Sequence, residues 1–145
     1  MNSTFIRRAT LQDLQGIKEL LEEASLPTLG IEQHAKHFIV ADSGAAIVGA
    51  IGLEVYGETA LLRSAVVTRE EQGKGIGSLL FDFNLEEARR LGVRRLLLLT
   101  NTAEKYFEKK GFHKIDQAGV TGAVTTSVGF SGACPAHAAC MERIL

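Results

Sequence analysis

Cysteine, proline and unbalanced charge are all scarce in this chain of 145 residues. Its two cysteines, Cys134 and Cys140, are too few for a disulfide framework and too few alone for a structural zinc site, so reduced thiols are expected. Two prolines beside 46% apolar and 23% charged residues exclude a collagen-like, disordered or coiled-coil chain. Sixteen basic residues against 17 acidic ones leave a net charge of −1, with no electrostatic footprint for nucleic acid or an anionic membrane. No stretch approaches the roughly 18 apolar residues of a membrane span. Met1 to Asp13 lacks the continuous apolar core of a signal peptide, and a cytoplasmic protein is the expectation. Internal repeats, low-complexity tracts and linkers are missing as well, so residues 1–145 read as one domain. Scaling laws give about 7,000 Å² of folded surface against about 23,000 Å² unfolded, enough burial for a core without staples.

Punctuation therefore comes from glycine and helix caps. Phe5 to Ala9 reads as a short strand, and Thr10 with Asp13 three residues on is a weak capping box. Leu14, Ile17, Leu20, Leu21 and Ala24 mark the helix that follows, and Pro27 closes it. Phe38 to Ala41 and Ala46 to Val55 read as an antiparallel hairpin across Asp42-Ser43-Gly44. Thr59 to Val67 is the next strand, with Leu62, Ser64 and Val66 on one face and Leu61, Arg63, Ala65 and Val67 on the other. A helix follows with Ile76, Leu80, Phe83, Ala88 and Leu91 inward and Gly92 as its C′ residue. Four leucines, Leu96 to Leu99, within Arg95 to Thr100 signal a strand covered on both faces. A short helix from Thr102 to Lys110 ends at Gly111, and Phe112 to Ile115 resumes as strand. Propensity alone makes the Ala-rich tail after Cys134-Pro135 a helix start.

The chemistry concentrates in Gln72-Gly73-Lys74-Gly75-Ile76-Gly77-Ser78, between a strand and a helix. Glycines at alternate positions let backbone N–H groups converge at the positive end of a helix dipole, which makes an anion cradle. It is not a P-loop: Thr68 stands where the first glycine belongs, and Gly75 rather than Ser or Thr follows Lys74. It is not the dinucleotide fingerprint either, because Ser78 or Leu80 occupies the third glycine position.

Gln72-x-x-Gly75-x-Gly77 does match the coenzyme A pyrophosphate loop of the Gcn5-related N-acetyltransferase (GNAT) superfamily. Ala65-Val66-Val67 upstream resembles that superfamily's fourth strand, and Asn101 follows the fifth. Ala103 to Phe112 resembles its Ala-x-x-x-Tyr-x-x-x-Gly-Phe segment, and Ile6 to Asp13 its opening strand and helix. The resemblance implies an α/β (α+β) fold with a mixed sheet of about six to seven strands, flanked by helices. Strands 4 and 5 would splay around acetyl-CoA, and Ala138 to Leu145 would form the last strand. That placement is preferred to a helical tail, because a sheet lacking this strand would expose unpaired backbone.

The same resemblance assigns cofactor binding to Ala65, Val66, Val67, Gln72, Gly73, Lys74, Gly75, Ile76, Gly77, Ser78, Asn101 and Phe107. Direct transfer of an acetyl group to an amine needs an oxyanion donor and management of two protons. Glu54, at the end of the third strand, is the candidate base; the alternative is a solvated strand-end carboxylate. Phe107 stands where the superfamily carries its proton-donating tyrosine, so either the adjacent Tyr106, about 100° around the helix, supplies the proton or water does.

Arg63, among Leu61, Leu62 and Ala65, needs an anionic partner. It is either a bidentate clamp on a substrate oxyanion or half of an ion pair with Glu54 or Glu58. Leu62 to Val66 resembles small amino-acid N-acetyltransferases, which points to an amino-acid-like acceptor, with Arg63 and Glu54 at the substrate. Four blocks resemble a small acetyltransferase subgroup encoded with arsenic-resistance genes. They are Gly52-Leu53-Glu54-x-Tyr56-Gly57, Leu62-Arg63-Ser64, Leu99-Thr100-x-Thr102-Ala103-Glu104 and Cys134-Pro135-x-x-Ala138-x-Cys140-Met141. Related enzymes acetylate phosphinothricin or its arsenic analogue, both glutamate mimics. Gly129-Phe130 departs from that subgroup, which has Glu-Phe there. Cys134, His137 and Cys140 read as structural rather than metal ligands, and no metal is expected. A homodimer is compatible with the superfamily, and the rival to an enzyme is an acetyl-CoA-binding sensor.

Overall fold

A computed structural model describes residues 4–127, 130 and 138–145. Its strands are β1 (Phe5–Arg8), β2 (Phe38–Asp42), β3 (Ile47–Tyr56), β4 (Thr59–Val67), β5 (Arg95–Thr100), β6 (His113–Ile115) and β7 (Ala139–Ile144). The helices are α1 (Leu14–Glu23), α2 (Ile31–His34), α3 (Ile76–Arg90) and α4 (Glu104–Lys109). One seven-stranded sheet runs in the order β1-β2-β3-β4-β5-β7-β6. Every neighbouring pair is antiparallel except β4 and β5. The mixed, helix-flanked α/β architecture expected from the sequence is therefore present. None of the helices among the described residues is long and apolar enough to cross a membrane.

The tail is a strand, against its helical propensity. β7 lies between β5 and β6, pairing Arg95–Thr100 on one side and His113–Ile115 on the other. Two ladders of backbone bonds outweigh a propensity preference of a few tenths of a kcal/mol per residue.

The sheet's two faces bury different things. On one, α3 lays Ile76, Leu80, Phe81, Leu85 and Ala88 over Ile51, Leu53, Leu96 and Leu98. On the other, α1 sets Ile17, Leu20 and Leu21 against Phe38, Val40 and Ala50, and Leu97 meets Val120 and Val124. The leucine run thus feeds both faces by alternation. The α3 helix stops in a Schellman cap, with Val93 N–H donating to Ala88 O at 2.9 Å and Gly92 N–H to Arg89 O at 3.1 Å. Gly92 supplies the left-handed φ of +84° this turn requires.

At the start of α1 the Thr10 N–H donates to Asp13 Oδ2 at 2.7 Å, and Arg7 grips the same carboxylate at 2.8 and 2.9 Å. A 3-10 turn over Leu11–Asp13 intervenes before the α-helix begins. The four-residue α2 and the 3-10 turns at Gln117–Gly119 and Ala123–Thr126 are too short to show hydrophobic periodicity, and the sequence does not announce them.

The strict alternation expected along β4 fails at a bulge. Val66 is opposite Ala50 but Arg63 is opposite Gly52, so Ser64 and Ala65 together face Ile51. Ser64 takes φ +60°, in the left-handed region. The extra residue reverses the phase: Val67 joins Leu62 on the α3 face, while Val66 turns to the α1 face.

Candidate functional site

The parallel pair β4 and β5 hydrogen-bonds only between Thr59–Leu61 and Arg95–Leu97. Beyond that point the strands part, which leaves the β5-facing edge of β4 from Leu62 to Val67 without a sheet partner. A cavity of about 1070 Å³ opens in the fork. Arg63, Val66 and Val67 line it from β4, and Ser64 and Ala65 from the bulge between them. Asn101, Tyr106 and Phe107 line it from β5's end and α4.

The glycine turn closes one end of this cavity, where Gln72 and Gly77 reach its wall. Gly73 has φ +80° and Gly75, the N-cap of α3, has φ +85°. No side chain caps α3, so its first-turn N–H groups and the positive end of a 15-residue helix dipole are free of a built-in anion. Gln72 Nε2 donates to Val67 O at 3.0 Å and ties the turn to β4. Ile76 points its side chain into the core, which leaves only its main chain for the cradle. Lys74 is exposed and paired with Glu71 at 2.7 Å.

Ser78 Oγ accepts from Lys110 Nζ at 3.1 Å, and that ammonium lies 5.4 Å from the Phe81 ring centre and 5.6 Å from that of Tyr106. Lys110 is a cation beside the cradle that the sequence disguises as one of a solvated lysine pair. Phe107 packs edge-on against Tyr106 at 5.1 Å and Phe112 at 5.7 Å. Tyr106 is 41% exposed, and its hydroxyl is 3.9 Å from where a Cβ on Gly77 would stand. The phenol thus lies at the glycine-turn end of the cavity.

Behind β4 lies a polar cluster. Glu54 is 1% exposed and does not line the cavity. Arg63 Nη1 donates to its Oε2 at 2.8 Å, Tyr56 Oη to its Oε1 at 2.5 Å, and Ser127 hydrogen-bonds it as well. His34 Nε2 stands 3.7 Å from Oε1. Burial pushes the Glu54 carboxyl up, but the hydrogen bonds from Ser127, Tyr56 and Arg63 outweigh it and hold the group below its ordinary range. Burial, with donation to Glu54, pushes Tyr56 up to about 12. Burial lowers His34, against the pull of Glu54.

Of the two partners the sequence offers Arg63, Glu54 is the one it meets, and Glu58 is not. A carboxylate surrounded by donors and stabilised in its charged form is a weak proton acceptor. Its position makes Glu54 the counter-ion of Arg63. Cys140 is buried on β7, and burial raises its thiol. Cys134, Pro135, His137 and Gly129 lie outside the described residues.

Residues 34–114 match the family model of the acetyltransferase (GNAT) domain. An amino-acid acetyltransferase of Ralstonia nicotianae is 33% identical over 120 residues, 74% of this chain and 26% of that protein. An amino-acid acetyltransferase of Mycobacterium tuberculosis is 31% identical over 131 residues, 82% of this chain and 74% of that protein. The chain spans only 26–27% of the length of the first curated relatives it matches. Among solved structures, the N-acetylglutamate synthase of Neisseria gonorrhoeae, complexed with coenzyme A and N-acetyl-glutamate, shares the fold. Its TM-score is 0.82 at 20% identity, over 100% of this chain and 36% of that one.

Proposed function

The chain belongs to the GNAT acetyltransferase family, and from that premise we propose that it is an acetyl-CoA-dependent N-acetyltransferase acting in the cytoplasm on the amino group of a small, amino-acid-like acceptor. The observation that carries this reading is the fork between β4 and β5, whose cavity runs to the uncapped N-terminus of α3. A diphosphate fits that end, because Gly73 and Gly75 let main-chain N–H groups converge without side chains in the way. A polar, chain-like arm fits the fork, where unpaired backbone of β4 offers donors and acceptors along one edge.

When bound, acetyl-CoA supplies a thioester carbonyl for attack by the acceptor amine. Main-chain N–H groups of Ala65 to Val67 serve as donors to the oxygen that gains negative charge, a contact worth roughly 10²–10³ in rate. Val66 and Val67 shape the arm's channel, Gln72 braces the turn, and Lys74, Ser78 and Asn101 contribute polar contacts at its rim. Ile76 anchors the helix start. Phe107 packs on the arm.

Tyr106, the cavity-lining member of the two catalytic candidates, is the proton donor once its ring rotates from Gly77 toward the fork. Glu54 acts through Arg63, and the amine's proton leaves by water. The acceptor reading follows the relatives' names, amino-acid acetyltransferases. Glutamate and its oxyanion-bearing mimic phosphinothricin, which some enzymes related to the arsenic-resistance subgroup acetylate, are the compounds to try first. Thiol release in the presence of acetyl-CoA and an amino-acid panel containing both tests the proposal: turnover of at least one acceptor is expected. Tight cofactor binding with no release for any acceptor would replace it with a sensor.

A further inference from the structure

Arg63 has five N–H donors, and four of them are engaged. Nε donates to Ser64 Oγ at 2.9 Å, Nη1 to Leu29 O at 2.7 Å and to Glu54 Oε2 at 2.8 Å, and Nη2 to Pro27 O at 3.1 Å. A two-pronged grip on a carboxylate needs two free N–H groups side by side, and the described residues leave at most one, on Nη2. The side chain is 10% exposed. Its charge is answered by Glu54, which Tyr56 and Ser127 hold in place.

The two carbonyls belong to the turn between α1 and α2, which is otherwise fixed at its ends, by Leu26 and Ile31 packed on the α1 core. Leu26 N–H closes the end of α1 on Leu21 O at 2.8 Å, and Ile31 N–H reaches Thr28 O only at 3.4 Å. Leu26 lines the cavity, and Leu29 is largely exposed. A planar guanidinium spans a carboxylate and two carbonyls at once, a geometry that an ammonium on a flexible stem does not reproduce.

We infer that Arg63 is a positioning residue: it locks residues 26–30 against β4 and so fixes Leu26 as the acceptor-side wall of the cavity, so that acceptor selectivity resides in that wall and not in a two-pronged grip on an acceptor carboxylate. This rests on the acetyltransferase reading for its functional half, while its structural half is measurable without turnover.

Amide hydrogen exchange of the unliganded protein is the first arm. Arg63→Ala and Arg63→Lys are each expected to speed exchange about tenfold or more at the Leu26 and Ile31 amides, the two in residues 26–31 that backbone bonds protect, the loss of one charge-assisted hydrogen bond. Protection in α3 and coenzyme A affinity by calorimetry should stay as in the parent. Arg63→Lys keeps a cation beside Glu54, so it reports even where Arg63→Ala does not fold. Unchanged exchange at 26–31 in Arg63→Lys overturns the inference.

The second arm compares KM for glutamate, glutamine and isoglutamine, which remove the side-chain and the main-chain carboxylate in turn. The same rise for all three is expected. A rise confined to acceptors that keep one particular carboxylate overturns the inference in favour of a clamp. Absence of turnover in the parent protein would instead sink the acetyltransferase reading, with the exchange result still standing.

Discussion

The two faces of the sheet are built on different principles. Toward α3 the interior is apolar and the proposed recognition element is main chain, an uncapped helix start held open by Gly73 and Gly75. Toward α1 and α2 the interior holds a carboxylate, a guanidinium and a phenol in one hydrogen-bonded cluster, with an imidazole 3.7 Å from the carboxylate. A main-chain site tolerates almost any neighbouring side chain but no substitute for its glycines. A side-chain site inverts that dependence, because each member is stable only while its partners stay in place. The first kind suits the invariant part of a reaction, an acyl carrier common to many enzymes. The second suits the variable part, the acceptor.

The sharpest way to break this contrast is to put a charge into the main-chain site. Gly75→Asp places a carboxylate in the cradle at φ +85° and is expected to weaken coenzyme A binding by more than about 100-fold, through repulsion and strain together. Gly75→Ala is its control. A Cβ there meets no heavy atom within 4 Å, so only the conformational cost of about 1–2 kcal/mol applies. Equal affinity for Gly75→Asp and the parent in calorimetry would remove the cradle from the cofactor site.

The next effect is on the other face. A Cβ on Gly52 would lie 2.4 Å from Cε1 and Cζ of Phe38, a ring that is fully buried across the β2–β3 pair. Gly52→Ala is expected to lower stability by about 1–3 kcal/mol, read as a melting-temperature drop of roughly 2–4 °C per kcal/mol. Adding Phe38→Leu should show coupling in a double-mutant cycle. Additive losses would mean that the ring is not what the missing side chain accommodates.

The same contrast explains what the sequence discloses. The cradle is legible because its determinants fall within Gln72 to Ser78, a strand-to-helix junction whose glycines have one physical purpose. The leucine run and the two-faced strand it forms are equally local. The β4 bulge is not: a left-handed Ser64 carries no composition signal, and without it alternation assigns Val66 and Val67 to the wrong faces. Glu54 as the partner of Arg63 is anticipated as one of two pairings. The carbonyls of Pro27 and Leu29 are not, since main-chain acceptors have no residue identity to read. Tyr56, His34 and Ser127 join the cluster only through the packing of a hairpin, a one-turn helix and a 3-10 turn. Lys110 is hidden for a related reason, because its approach to Ser78 depends on α4 docking over α3.

A titration sharpens the comparison at the edges of both faces. Asp13, gripped by Arg7 on the α1 side, has its carboxyl held down to about 2. Glu87, on α3, is held down to about 2 by Arg8 and Arg90. Both values lie below the ordinary carboxylate range. Their stabilisation is therefore complete above about pH 4.5 and is lost as pH falls toward 2. The Asp13 pair is expected to contribute about 1–2 kcal/mol after allowance for solvent screening. Asp13→Asn should flatten the acid limb of the stability curve between about pH 4.5 and 2 by that amount, and Glu87→Gln should flatten it less, because the arginines of Glu87 are exposed. An unchanged acid limb in Asp13→Asn would show that the Arg7 pair is neutral to folding.

The smallest effect concerns a polar side chain that interrupts the α3 interior. Asn84 is fully buried in the middle of α3, and neither its Oδ1 nor its Nδ2 has a hydrogen-bond partner among the described residues. An amide left in this state costs roughly 1–3 kcal/mol, and asparagine is also a weaker helix former than leucine by a few tenths of a kcal/mol. Asn84→Leu keeps the branching and the number of side-chain heavy atoms while removing both polar ones. It is expected to raise stability by about 1 kcal/mol, the relief of desolvation less the strain of two methyl groups in a packed helix face. Because Leu80, one turn earlier, lines the cavity, coenzyme A affinity is the companion measurement and should not move. A fall in stability would mean that the amide has a partner the apolar description of this face omits. The α3 side would then need polar side chains as the α1 side does, and the division between main-chain and side-chain recognition would lose its physical basis.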